Sequence, residues 1–252
     1  VLDEQWIRAL HVETMREREL HAEHEPHVLF QASTIAALLD GAYDGDLTFA
    51  ELAGHGDLGL GTLNGLDGEM IALDGSFYRA AVDGAVSEVS PGERTPFAVV
   101  TAFAPTIEVE VGGPLEHGAL LAALDRLIPE GAASCAIRLD GRFASIRARS
   151  VPRQHPPYRP LTEVVAEQRE FDLEDVTGTM LGFRFPSYAE GIEVSGFHLH
   201  FIDAARRRGG HVLDSRLTAA TARLDPSNDL HIELPPEVDL ADPELAAGTH
   251  AA

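Results

Sequence analysis

From Gly54 onward the chain runs in short apolar–polar alternations, broken by Asp-Gly pairs at 67–68, 74–75 and 83–84. Strand side chains alternate between faces, and Asp-Gly between such runs marks a hairpin. The pattern predicts strands near 69–73, 76–80, 85–89, 97–103 and 106–111. A second block of the same texture spans 134–151 and reads as a hairpin around Asp140-Gly141. On its second arm Phe143, Ser145, Arg147 and Arg149 are expected on one face, and Ala144, Ile146 and Ala148 on the other. Further strands are expected at 176–185, 194–202, 211–223 and 230–234.

Helical patterning is confined to short stretches. Asp3 to His24 has helix-forming composition, with Trp6, Leu10 and Met15 roughly on one side. STIAALLDG reads as a short helix with Ser33 as N-cap and Gly41 just past its end. Thr48 to Glu51 is a capping-box pattern. Residues 114–128 form an amphipathic pattern with Pro114 in the expected first turn, and a helix is expected over 161–175. RQHPPYRP is a proline-rich connector.

Short helices among hairpins, without regular βαβ units, predict an α+β fold of two domains, each built on a mixed or mainly antiparallel sheet with short helices. The boundaries follow from the breaks: an N-terminal helical arm over 1–28, a sheet domain over 29–160, a second over 161–235 and a tail over 236–252. Glycines 59, 61 and 65 do not make a dinucleotide loop, because strand rather than helix follows them.

Composition narrows the chemistry. The 252 residues carry a formal net charge of −22, which opposes nucleic acid as a partner. No apolar run approaches the ~20 residues that span a membrane. The N-terminal stretch is charged throughout and is no signal peptide. The expected location is the cytoplasm; because the chain begins at Val1 rather than Met, a secreted form is left open. Cys135 is the single cysteine, which excludes an internal disulfide and a thiolate zinc site. No lysine occurs, which excludes imine chemistry on a lysine. A carbanion formed here needs another electron sink, and a metal is the obvious one.

The candidate metal ligands are His198, His200 and His211. Histidines two apart on a strand share a face. The polar, Gly-rich stretch 203–210 could return the chain and bring His211 beside them. Three neutral imidazoles with one open position are a typical catalytic zinc set. Histidines at this spacing are equally often the polar face of a strand. A cupin-type iron site fits poorly, because Ala204 and Ala205 stand where its glutamate belongs. The earlier histidines (His11, His21, His24 and His27) read as a solvated helix end.

Three stretches together resemble the acetolactate decarboxylases: GLGTLNGLDGEMIALDGSFYRA followed by SEVSPGERTPFAVVTAF, the segment ending IRARSVPRQHPPYRPL, and TGTMLGFRFPSYAEGIEVSGFHLHFIDAARRRGGHVLD. They cover about residues 29 to 235 in the family's order. The resemblance implies a homodimer, a zinc ion on His198, His200 and His211, and decarboxylation of the small molecule 2-acetolactate to acetoin. It also implies active-site roles for Glu69, in LDGE, and for Arg149, in RAR before SVP, with Thr62 as a further substrate-lining position. Chemistry gives these residues parts: zinc as Lewis acid for the enediolate, Arg149 to hold the carboxylate before it leaves or to steady the oxyanion afterwards, Glu69 for proton transfer. By spacing alone Glu69 is a turn-adjacent carboxylate and Arg149 a sheet arginine; only the resemblance selects them.

The family also brings a glutamate from its C-terminal tail into the site. The tail here offers no obvious match, and Glu244 and Glu237 are the candidates. Two other readings share the histidines: a non-catalytic trimeric binding module with a structural metal, and a lyase for another 2-hydroxy-3-oxo acid.

Overall fold

The computed structural model describes residues 11–15 and 25–234. The first strands are β1 (His11–Met15), β2 (Val28–Ala32), β3 (Leu47–Thr48) and β4 (Leu58–Thr62). A run of hairpin strands follows: β5 (Glu69–Leu73), β6 (Ser76–Ala80), β7 (Val86–Glu88), β8 (Arg94–Thr95) and β9 (Ala98–Thr101). The longer strands are β10 (Ile107–Glu116), β11 (Ser134–Ser150), β12 (Arg169–Phe185), β13 (Gly196–Asp203) and β14 (Gly209–Ser227), and β15 (Asp229–Glu233) ends the series. Helices are short, at Ile35–Leu39, Phe49–Leu52, His117–Asp125 and Leu161–Val165. None among the described residues is long and apolar enough to cross a membrane.

The expected α+β architecture is present. An eight-stranded sheet runs β1-β15-β2-β9-β4-β5-β6-β7 and a five-stranded sheet runs β10-β14-β11-β12-β13. The first is mixed, because β15 pairs parallel with both β1 and β2. The second is antiparallel, and β13 also pairs with β14, so this sheet closes on itself.

The two sheets face each other across a shared apolar layer. Alternation decides what enters it. Leu58 and Leu60 of β4, Ile71 and Leu73 of β5, Leu181 and Phe183 of β12, and Ile202 of β13 all lie in it. The opposite face of β5 puts Met70 and Ala72 against Phe49 and Leu52 of the short helix. The opposite face of β13 puts Leu199 and Phe201 with Leu120 and Leu124. Each such fully buried side chain contributes roughly 1.5–3 kcal/mol.

Several local expectations hold. β5 and β6 fall on the predicted residues, and Asp74 and Gly75 between them have φ 54 and 76, the two left-handed residues of a type I′ turn. Thr48 and Glu51 form the reciprocal capping box.

Others are corrected. Of residues 134–151, Ser134–Ser150 form one strand, not a hairpin. Asp140 accepts hydrogen bonds from Arg138 on its own strand and from Thr179 and Arg223 on the two flanking strands instead of turning the chain. Gly141 is needed for close approach: a Cβ there would lie 2.3 Å from the Ala219 carbonyl. The expected face sharing on β11 also breaks, because register shifts between Arg142 and Ser145 send Phe143 into the same cluster as Ile146 and Ala148. The helix expected over 161–175 stops at Val165, and β12 begins at Arg169. There Phe171 and Leu173 pack inward between exposed Glu170, Asp172 and Glu174, a period of two.

Pro114 belongs to β10, not to a helix; the helix starts at His117, after a bulge between Gly112 and Leu115. The first short helix is capped by Thr34, whose Oγ1 accepts the Ala37 N–H, and not by Ser33. Of the helix expected over 3–24, residues 11–15 form β1, drawn into pairing with β15; the rest lies outside the described residues. Strand membership also does not divide at the proline connector. β10 and β11 precede it yet join the five-stranded sheet, and β15 follows it yet joins the eight-stranded one.

Candidate metal centre and active site

The site forms where β13 and β14 meet β4, β5 and the end of β11. On β13, His198 and His200 share the face that carries Ile202 into the layer between the sheets. The turn into β14 is shaped by Asp203, whose Oδ1 accepts the N–H groups of Arg207 and Arg208. This return places His211 directly opposite His200. One ligand nitrogen from each of the three histidines lies within 4.8 Å of the others. The sequence therefore located the cluster, and the chain assembles it through the expected turn.

Alternation on three other strands brings the remaining candidates to the same place. Glu69 opens β5 on the face of Ile71 and Leu73, and Thr62 pairs with it from the end of β4. Arg149 pairs with His211 in the β11–β14 ladder. Glu69 Oε2 stands 3.5 Å from His200 Nε2. Thr62 donates its hydroxyl to the Gly68 carbonyl at 2.7 Å. Thr62, Glu69, Arg149, His198 and His211 all line one cavity of ≈ 640 Å³. Among the described residues no carboxylate forms an ion pair with Arg149, whereas Arg147 on the same strand is exposed and pairs with Asp214 at 3.5 Å.

Burial governs the electrostatics. It pushes the Glu69 carboxyl up to about 7, against the pull of the Arg149 guanidinium. It lowers His198 to about 4, with Arg149 adding to the effect. His200 and His211 are held well below the ordinary histidine value by burial and by their neighbouring cations and imidazoles. All three imidazoles are thus neutral at neutral pH, the state a metal requires.

The residues fit a metal on their own terms. His200 Nδ1 is held by the Met70 carbonyl at 2.8 Å, which fixes the tautomer and leaves Nε2 as an acceptor. That Nε2 is buried without a hydrogen-bond partner. A buried polar atom left so costs about 1–3 kcal/mol, and a cation among three imidazoles satisfies it. The donor set is all nitrogen, without thiolate, which suits zinc with an open coordination position.

One residue was missed. Glu193 is almost wholly buried and lines the cavity. Burial pushes its carboxyl up to about 8, opposed by a hydrogen bond from the Val194 N–H. Its Oε2 lies 3.9 Å from His198 Nδ1. In the sequence it is a single glutamate between Ile192 and Val194 ahead of β13; that apolar flanking is the one available signal. Glu237 and Glu244 lie outside the described residues. Among the earlier histidines, His27 is held by Asp225 at 2.5 Å, far from the cluster in the chain.

Comparison with known proteins identifies the family and the fold. The model of the family described as alpha-acetolactate decarboxylase matches residues 29–247. An alpha-acetolactate decarboxylase of Methylococcus capsulatus is 48% identical over 223 residues, covering 88% of this chain and 86% of that protein. That of Klebsiella aerogenes is 41% identical, covering 86% and 84%. The crystal structure of alpha-acetolactate decarboxylase from Bacillus subtilis strain 168 superposes with a TM-score of 0.81 at 39% identity, covering 87% of this chain and 96% of that one. Matched along most of its length in sequence and in fold, this chain belongs to the alpha-acetolactate decarboxylase family of decarboxylating lyases.

Proposed function

We propose that the chain converts 2-acetolactate to acetoin and carbon dioxide with a zinc ion held by His198, His200 and His211. The observation that carries this reading is the three-imidazole cluster, of which His198 and His211 open with Glu69 and Arg149 onto one cavity, in a chain of this family. Zinc, when bound, supplies a Lewis acid for negative charge developing on the substrate oxygens.

The chain's own groups do the rest. Arg149 receives the substrate carboxylate: it lines the cavity, and among the described residues no carboxylate forms an ion pair with it. The bond from the hydroxyl-bearing carbon to that carboxylate breaks. Carbon dioxide leaves, and the electron pair spreads over the adjoining carbonyl as an enediolate. Glu69 then gives its proton to the carbon that lost the carboxylate, and acetoin results; in the metal-free protein burial holds this carboxyl up to about 7. Thr62 has committed its hydroxyl hydrogen to Gly68, so its oxygen is left to accept from the substrate hydroxyl. Ile35, Leu38, Leu66, Phe97 and Val151 supply an apolar wall, which keeps water from competing for the proton position. The same reading carries a homodimer and a cytoplasmic location; sedimentation analysis checks the first.

The test is direct. Protein loaded with zinc and given racemic 2-acetolactate is expected to release acetoin and carbon dioxide in equal amounts. A chelator should stop the reaction and added zinc restore it. Fully metallated protein that leaves acetolactate unchanged would refute the proposal.

A further inference from the structure

The three imidazoles are not equally supported. His200 has its Nδ1 fixed by the Met70 carbonyl at 2.8 Å. His198 has no such bond: its Nδ1 is buried and without a partner. The acidic group facing that nitrogen is Glu193, with Oε2 at 3.9 Å. Glu193 is itself incompletely satisfied. Its Oε2 accepts the Val194 N–H at 2.7 Å, while its Oε1 is buried with no partner. A buried donor site and a buried acceptor, each lacking a partner, thus lie side by side.

The segment bearing Glu193 is firmly held. The Ile35 and Ala36 N–H groups donate to the Ile192 and Gly191 carbonyls, and Gln31 Nε2 also donates to the Ile192 carbonyl at 2.8 Å. The Glu193 N–H donates to Ala189. The carboxylate is therefore presented to His198 by anchored backbone, not by a free loop.

We propose that Glu193 is a positioning residue of the metal centre, accepting the Nδ1–H of His198 and so fixing the tautomer and orientation in which His198 offers Nε2 to the metal. An acceptor behind a ligating imidazole raises its basicity as well as orienting it. Glu193 does for His198 what the Met70 carbonyl does for His200, with a side-chain acceptor in place of a backbone one. This inference rests on the metal reading of the three histidines.

Two variants separate positioning from mere packing. Glu193→Gln keeps the shape and an uncharged acceptor; Glu193→Leu removes the acceptor. Zinc affinity of the purified full chain is measured by competition with a chelator, alongside the melting temperature of the metal-free protein. We expect zinc binding to weaken by about 10- to 100-fold, more in the Leu variant than in the Gln variant. The metal-free melting temperature should hold or rise, because an unsatisfied buried carboxylate has been removed. Zinc affinities within twofold of wild type in both variants would overturn the inference. So would a lowered metal-free melting temperature with unchanged zinc affinity, which is what a packing role produces. Wild-type protein that fails to bind zinc would instead overturn the metal reading itself.

Discussion

In the proposed reaction Glu69 carries the heaviest chemical demand on a single side chain. Its carboxyl titrates near 7 because burial disfavours the charge more than Arg149 relieves it. Replacement by Gln keeps the shape and removes the proton, and should lower kcat by about 10²- to 10⁴-fold while leaving bound zinc intact. An acetoin assay with metal analysis checks this. The same shift sets a stability expectation for the metal-free protein. The folded carboxyl stays protonated to about 7 while the unfolded one ionises at 4.5. Stability therefore falls as pH rises through that window and is flat beyond it. At pH 8 the metal-free Glu69→Gln variant should exceed wild type by up to about 3 kcal/mol, a difference that vanishes below pH 4.5. Denaturant melts at the two pH values measure it. The three histidines were legible because spacing and a Gly-rich return encode them. Glu69, Arg149 and Thr62 were legible only through their flanking motifs, since alternation alone does not tell a cavity face from a solvent face. Glu193 was not legible: its burial comes from the anchored segment 190–194, which has no strand or helix period.

At the scale of elements, the Asp-Gly pairs show what a local rule can and cannot carry. At 74–75 the pair makes the expected turn, because the flanking residues Leu73 and Ser76 pair with each other. At 140–141 the same dipeptide runs straight through β11. The difference is tertiary: Asp140 has Arg138, Arg223 and Thr179 as partners, and Gly141 has the β14 backbone against it. Gly141→Val should force β11 and β14 apart and cost about 1–3 kcal/mol, whereas Gly75→Asn should be nearly neutral, since Asn tolerates the left-handed φ and nothing lies within 4 Å of the added Cβ. Thermal unfolding of both variants compares them. The helix expected over 161–175 fails for a different, local reason: the alternation of Phe171 and Leu173 with acidic residues is a strand signal set among good helix-formers.

For the whole molecule, the site depends on both sheets. The His200 bond to Met70 and the Glu69 contact with His200 join β13 to β5 across the shared layer. The chain order conceals this, because β10, β11 and β15 cross between the halves that the proline connector suggests. The α+β class was legible from the hairpin texture, while the exchange of strands was not, since long-range pairing leaves no local period. Metal binding across such a junction should stabilise the fold as a unit, by about 4 kcal/mol at a free zinc concentration a thousandfold above its Kd. The central claim is that the three histidines hold the metal on which decarboxylation depends. It is tested most directly by measuring bound metal and acetoin production together in His198→Ala beside wild type. The account predicts that the variant folds, loses its metal and forms no acetoin above background. A variant that retains both its metal and full activity would contradict it.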